Sequence, residues 1–205
     1  MPLRKINKIL YLGYDDSPII SWLKKENIIL ETTLDILDPI TLMNNKEKYD
    51  WIISYRYPHI ITPEVIDIFS GRMVKLHISY LPWNRGADPN LWSIVEQTPI
   101  GISIHAITPG LDKGDIYCQK MFEFSDEETL LSTYEKLNQE IQLLFIDVWP
   151  DIISNNLLAT PQKGKGSYHR KKDKEKLPAE LFKKGWDISI KEVKEIMNSH
   201  TIIKE

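Results

Sequence analysis

Only one cysteine, Cys118, occurs among the 205 residues, so no intramolecular disulfide can form, which points to a reducing, cytoplasmic setting. Excess charge is missing too. Lys and Arg number 26 against 29 Asp and Glu, a net charge of -3, which argues against a general nucleic-acid binder. No apolar run of signal-peptide type follows Met1–Lys5, and none approaches bilayer-spanning length, so neither secretion nor a membrane partner is expected. No Cys/His cluster has the spacing of a zinc site, so no metal is expected. The first predicted strand is not followed by Gly-x-Gly-x-x-Gly, which removes the dinucleotide fingerprint.

What remains is an ordinary globular composition, 42% hydrophobic and 27% charged, in a chain long enough to bury a core without staples. Ile9–Gly13 reads as a buried parallel strand. Ser17 is placed to cap a helix over Pro18–Glu26, with Ile19, Ile20 and Leu23 inward. A second strand begins at Ile28, and Trp51–Ser54 is a third. A helix from Pro63 to Phe69 and a strand over Met73–Ser79 follow. This alternation predicts an α/β fold, a mostly parallel twisted sheet flanked by helices and Rossmann-like in its layering. Leu81–Pro89 reads as loop, Asn90–Glu96 as a short helix, and Ile100–Ile107 and Ile116–Phe124 as strands. Ser125 is expected to cap a helix over residues 126–150, with Leu130, Tyr134, Leu137, Ile141, Leu144, Phe145 and Val148 inward. A second, weaker helix covers Ile188–Met197. Residues 1–155 are expected to form the main domain, and residues 156–205 a basic C-terminal extension packing on it.

The densest polar cluster is Lys75-Leu76-His77-Ile78-Ser79-Tyr80-Leu81-Pro82-Trp83-Asn84-Arg85-Gly86. Alternation along a strand places Lys75, His77 and Ser79 on one face. The carboxyl end of a parallel strand is where α/β proteins build sites. An edge strand with one wet face is the other reading of the same residues. A second cluster, Thr108–Asp115, holds Asp112 between Gly110 and Gly114, glycines that permit a sharply folded loop. Asp112 there could orient a histidine, and a plain turn explains the same residues.

Together the clusters resemble the formyltransferase family that includes glycinamide ribonucleotide and methionyl-tRNA formyltransferases. The matching residues are His77, Ser79-Tyr80-Leu81-Pro82, Arg85-Gly86, Gly101-Ile102-Ser103-Ile104-His105 and Asp112-Lys113-Gly114, spread over residues 50–125. Pro82–Ser93 and Gly166–Asp173 look most like the branch that formylates nucleotide-linked amino sugars. The resemblance implies aminolysis of formyltetrahydrofolate by the amine of a dTDP- or UDP-linked 4-amino-4,6-dideoxyglucose, and members of that branch are often homodimers. It makes His77 the general acid/base and Asp112 the residue that orients it. It also implies donor-binding positions at Tyr57, His59, Gly110 and Leu111, and acceptor-binding positions at Ser79, Trp83, Arg85, Trp92, Tyr168, Arg170 and Lys171.

One position departs from the family. Where an asparagine amide stabilises the oxyanion, this chain has Lys75. Three readings follow: Lys75 as a substitute donor, a changed acyl donor with acetyl-CoA the obvious candidate, or an inactive sugar-nucleotide-binding module. Structural roles also stand beside the functional ones. His105 reads as a hydrogen-bonded core histidine, Trp92 as packing, Tyr57 and His59 as surface, Tyr168–Lys171 as a solvated tail, and Cys118 as a small core residue.

Overall fold

The computed structural model describes residues 6–45 and 48–202. The reading of Met1–Lys5 lies outside them. Eight strands and six helices follow in chain order: β1 (Lys8–Leu12), α1 (Pro18–Lys25), β2 (Ile29–Thr33), α2 (Pro39–Asn44), β3 (Trp51–Tyr55), α3 (Pro63–Ile68), β4 (Met73–His77), β5 (Arg85–Gly86), α4 (Pro89–Val95), β6 (Ile100–Ala106), β7 (Ile116–Phe122), α5 (Leu130–Ile153), β8 (Tyr168–His169) and α6 (Ile190–Ile202). Six strands form one sheet in the order β2-β1-β3-β4-β6-β7, and β5 pairs with β8 in a second. The pairs β1–β2, β1–β3 and β3–β4 are parallel. This is the mostly parallel α/β architecture expected from the sequence.

The chain divides into two compact units, and three of the five dividing points fall inside β6, β7 and α5. The first comprises residues 1–77, 104–118 and 141–162. Its β1 and β3 are near-continuous apolar runs, as strands covered on both faces require, and Ile9, Leu12, Ile52 and Ile53 have no exposed surface. Each such side chain contributes about 1.5–3 kcal/mol relative to leaving it in water. The Ser17 hydroxyl accepts from the amide of Ile19 at 3.3 Å, and Pro18 occupies the first helical position, so α1 starts where expected. Leu10, Leu12, Leu42, Ile52, Val65, Phe69 and Met73 form one apolar cluster. Trp149 of α5 is buried edge-on against Trp51, with ring centroids 5.2 Å apart.

The second unit comprises residues 78–103, 119–140 and 163–205. Leu91 and Ile94 of α4, Leu130 of α5, Leu181, and Ile190 and Val193 of α6 make its core. The backbone bonds from Leu130 N to Ile188 O and from Ile190 N to Glu128 O, at 3.1 and 2.8 Å, tie the segment before α6 to the start of α5.

Several local expectations need correction. β4 ends at His77, so strand alternation does not extend to Ser79. The segment 81–89 is not all loop, because Arg85–Gly86 pairs in parallel with Tyr168–His169. α2 is an additional helix, capped by Asp38, whose carboxylate accepts from the amide of Thr41 at 2.9 Å. α5 begins at Leu130 rather than 126: Thr129 and Ser132 exchange side-chain-to-backbone bonds of 3.0 and 3.1 Å, a reciprocal cap that Ser125 does not provide. The helix also runs through Pro150 to Ile153.

Candidate active site

β4 lies inside the sheet between β3 and β6, so the edge-strand reading of Lys75 fails. Lys75 and His77 sit two residues apart on β4, on one face, with His77 at the carboxyl end. Ile107 N donates to Met73 O at 3.1 Å, which ties the chain just after β6 to the start of β4. The loop that follows carries Asp112 in left-handed backbone, φ 52°. Gly114 makes this loop possible: a Cβ there would lie 1.7 Å from the carbonyl oxygen of Ala106.

The result is a buried carboxylate facing three nitrogen bases. Asp112 Oδ1 lies 2.5 Å from Lys75 Nζ and 3.6 Å from His105 Nε2, and its Oδ2 lies 3.8 Å from His77 Nε2. The Asp112 side chain has no exposed surface, His77 is 6% exposed and Lys75 25%. His105 Nδ1 is 2.7 Å from the carbonyl oxygen of Ala106. The His77 and His105 rings stand perpendicular, 6.3 Å apart. Burial alone would push the Asp112 carboxyl up, but the charges of His77 and Lys75 and the His105 imidazole outweigh it and hold the group well below the usual carboxylate range. Asp112 is therefore ionised at working pH and only accepts hydrogen bonds. Lys75 is engaged with it.

Sequence reasoning missed Gln162. Its Nε2 donates to the carbonyl oxygens of both Asp112 and Gly114 at 2.8 Å. No local signal marks a glutamine in a polar stretch. It becomes visible only once the backbone pairing of Ile116 with Thr160 is known.

The expected donor-site residues also lie in the first unit. Tyr57 donates its hydroxyl to the carbonyl of Asp35 at 2.5 Å, and its ring meets that of His59 edge-on at 5.4 Å. Gly110 turns the Asp112 loop at φ 97°, and Leu111 is half-buried beside it. Cys118 is half-buried, and burial together with the charge of Asp147 pushes its thiol up to about 11, so it is no thiolate nucleophile. Among the described residues, no group of three or more His, Cys, Asp or Glu could hold a metal ion.

The expected acceptor residues belong to the second unit. Ser79 donates its hydroxyl to Trp83 O at 2.5 Å, closing its own turn. The Ser103 hydroxyl donates to Ser79 O at 2.6 Å and accepts from Leu81 N at 3.1 Å, while Gln119 Nε2 donates to Leu81 O and to Ser103 Oγ, each at 2.8 Å. Arg85 is held by the tail: its amide donates to Ser167 O at 3.1 Å and its guanidinium to Lys165 O at 3.3 Å. Buried Asn84 donates to Thr98 Oγ1 at 2.7 Å and accepts from the Ser167 hydroxyl at 3.0 Å. Tyr168 lies opposite Arg85 across the β5–β8 pair. Trp92 is buried, and one face of its indole is covered by the His169 ring, parallel within 5° at 3.9 Å. His169 Nε2 in turn lies 3.3 Å from Glu96. Arg170 and Lys171 are exposed at the start of a 3₁₀ turn over Lys171–Lys176, with Arg170 N bonded to the Asp173 carboxylate at 2.7 Å.

Comparison with known proteins identifies the family. A model of the formyl transferase family matches residues 33–148, more than half of the chain. The methionyl-tRNA formyltransferase of Prochlorococcus marinus subsp. pastoris is 32% identical over 142 residues, which cover 68% of this chain and 43% of that protein. The chain thus spans less than half the length of that relative. The dTDP-4-amino-4,6-dideoxyglucose formyltransferase of Mycobacterium bovis is 28% identical over 131 residues, covering 64% of this chain and 55% of that one. Among solved structures, the formyltransferase PseJ from Anoxybacillus kamchatkensis, crystallised with UDP-4,6-dideoxy-4-formamido-L-AltNAc and tetrahydrofolate, superposes with a TM-score of 0.85 at 42% identity, covering 91% of this chain and 97% of that one. By sequence and by fold, the chain belongs to the formyl transferase family.

Proposed function

We propose that this chain transfers a formyl group from formyltetrahydrofolate to the 4-amino group of a nucleotide-linked 4-amino-4,6-dideoxy sugar. The observation that carries this reading is the Asp112 carboxylate, fully buried between Lys75, His77 and His105. Such a set suits aminolysis of a carbonyl. It offers an imidazole for the proton, a fixed anion beside it, and a cationic hydrogen-bond donor, Lys75, for negative charge that develops. The similarity to PseJ supports the acceptor and makes a UDP-linked sugar carrying a 2-acetamido group the first to try. A dTDP-linked 4-amino-4,6-dideoxyglucose is the second, by similarity to the mycobacterial protein.

Formyltetrahydrofolate, when bound, supplies the activated formyl group and leaves as the free amine. His77 takes a proton from the attacking sugar amine and returns one to the departing nitrogen. The ionised Asp112 favours the imidazolium that exists between these transfers. Lys75, two residues before His77 on the same strand face, favours negative charge on the formyl oxygen, the work an asparagine amide does elsewhere in the family. The relatives named above are all formyltransferases, which favours formyl over acetyl as the group transferred.

Mass spectrometry of each aminosugar nucleotide, incubated with the protein and one donor at a time, tests this. A gain of one formyl group with formyltetrahydrofolate alone is expected. An acetylated product with acetyl-CoA alone would replace the donor, and sugar-nucleotide binding without any product would make the chain a binding module. Light scattering with and without ligand reports whether the protein is the homodimer its sugar-formylating resemblance implies.

A further inference from the structure

The Asp112 loop is an awkward piece of backbone. Asp112 is left-handed at φ 52°, Gly110 at φ 97°, and Gly114 passes too close to Ala106 for any side chain. Aspartate enters this region more readily than most side chains, so the loop's course is set by the bonds made to it from either side. The Ala106 N to Asp115 O bond of 2.8 Å holds one side of the loop. The other side is held from residues 160–162. Ile116 and Thr160 exchange both backbone bonds, at 2.8 and 2.9 Å, in antiparallel pairing. Continuing that register two residues outward sets Gln162 opposite Gly114, where no side chain opposes it.

From there one amide nitrogen spans the loop. Gln162 Nε2 donates to Asp112 O and Gly114 O at 2.8 Å each, using both of its hydrogens on the two carbonyls that flank Lys113. We infer that Gln162 is a positioning residue for catalysis, holding the Asp112 carboxylate in register with His77 and Lys75. The inference rests on the formyl-transfer reading and adds to it a residue outside the segments that carry the family resemblance. The chemistry of the side chain is specific. Glutamate has the same length but presents only acceptors to two carbonyls, and leucine presents nothing.

The test uses the full chain with Gln162→Leu and Gln162→Glu. Each variant is first checked for a cooperative thermal unfolding transition, then measured two ways. The first is steady-state kinetics with formyltetrahydrofolate and the sugar nucleotide. The expected result is a fall in kcat of about ten- to a hundredfold with both KM values within about twofold, because displacement of a catalytic group by about 1 Å costs on this order. The second is an NMR titration of the five histidines, with His77 and His105 assigned by single replacement. It reads the site with no turnover needed. A displaced Asp112 supports the protonated imidazole less well, so the His77 midpoint is expected to move to lower pH, leaving His59, His169 and His200 unmoved. Wild-type kcat and a wild-type His77 titration in either folded variant would overturn the inference, as would loss of the cooperative transition in both, which would make the brace purely structural. If the wild-type chain turns over no substrate while the His77 midpoint still moves, the formyl-transfer reading fails and the positioning of Asp112 by Gln162 stands.

Discussion

The two compact units solve the same problem in opposite ways. In the first, an ionised carboxylate is packed among nitrogen groups that hold it: Asp112 with Lys75, His77 and His105. In the second, rings and amides from distant parts of the chain are laid together: Trp92 on His169, and Asn84 between Thr98 and Ser167. Each also has a glutamine whose amide nitrogen serves two acceptors, Gln162 on the Asp112 loop and Gln119 on the turn after Ser79. Charge clustering gives chemistry at the cost of a destabilising anion, which must be matched locally. Ring stacking gives shape, and its members can be far apart in sequence.

The sharpest break between the units should be kinetic. His77→Gln is expected to lower kcat by about 10²- to 10⁴-fold while leaving sugar-nucleotide affinity within a few-fold. Arg85→Ala should do the reverse, raising the acceptor KM with kcat little changed. Steady-state kinetics with calorimetric binding checks both, and a fall in kcat alone for Arg85→Ala would merge the two roles.

Next in size is stability. Asp112→Ala leaves Lys75 without its buried counter-charge and should cost about 3–5 kcal/mol in urea unfolding. The pH dependence has a definite sign. The folded carboxyl titrates below the unfolded value of about 3.9, so the unfolded chain takes up its proton first as pH falls. The contribution of Asp112 is fully present above about pH 4 and drains away below it. Wild type should therefore lose its advantage over Asp112→Ala between about pH 4 and more acid values. An advantage that persists unchanged to pH 2.5 would contradict the burial and pairing described.

A smaller effect is expected in the second unit. His169→Ala removes the stacked ring on Trp92 and should cost about 0.5–1.5 kcal/mol beyond lost contact area, read by urea unfolding. The smallest is chemical. With its thiol pushed up to about 11, Cys118 should react with iodoacetamide at pH 8 at least tenfold more slowly in the folded protein than in urea.

The contrast also governs what could be read from the sequence. The residues of the charged cluster lie at positions 75, 77, 105 and 112, inside short strand and loop motifs, and their types announce chemistry. Strands β1 and β3 were legible as apolar runs, and α1 through its Ser17 cap. The pair β5–β8 was not, because two-residue strands carry no periodicity and their pairing depends on a partner far along the chain. α2 hid because Ile40 and Met43 are exposed, so its six residues show no buried stripe. The start of α5 was misplaced because Ser125 has the residue type of a cap, while the reciprocal bonds are made one turn later, between Thr129 and Ser132. Trp92 was open to an acceptor role or to packing, and the residue that stacks on its indole, His169, comes from the tail, where no local pattern links the two.

The bond from the Asn84 amide to the Ser167 hydroxyl spans 83 residues. The entropy of closing so long a loop grows only with the logarithm of its length, so doubling it would weaken the contact by about 0.6 kcal/mol. Gly164, with open space around it, lies just inside that loop. A chain built this way can lengthen there generation after generation while the ends of the loop, and Arg85 with them, stay fastened.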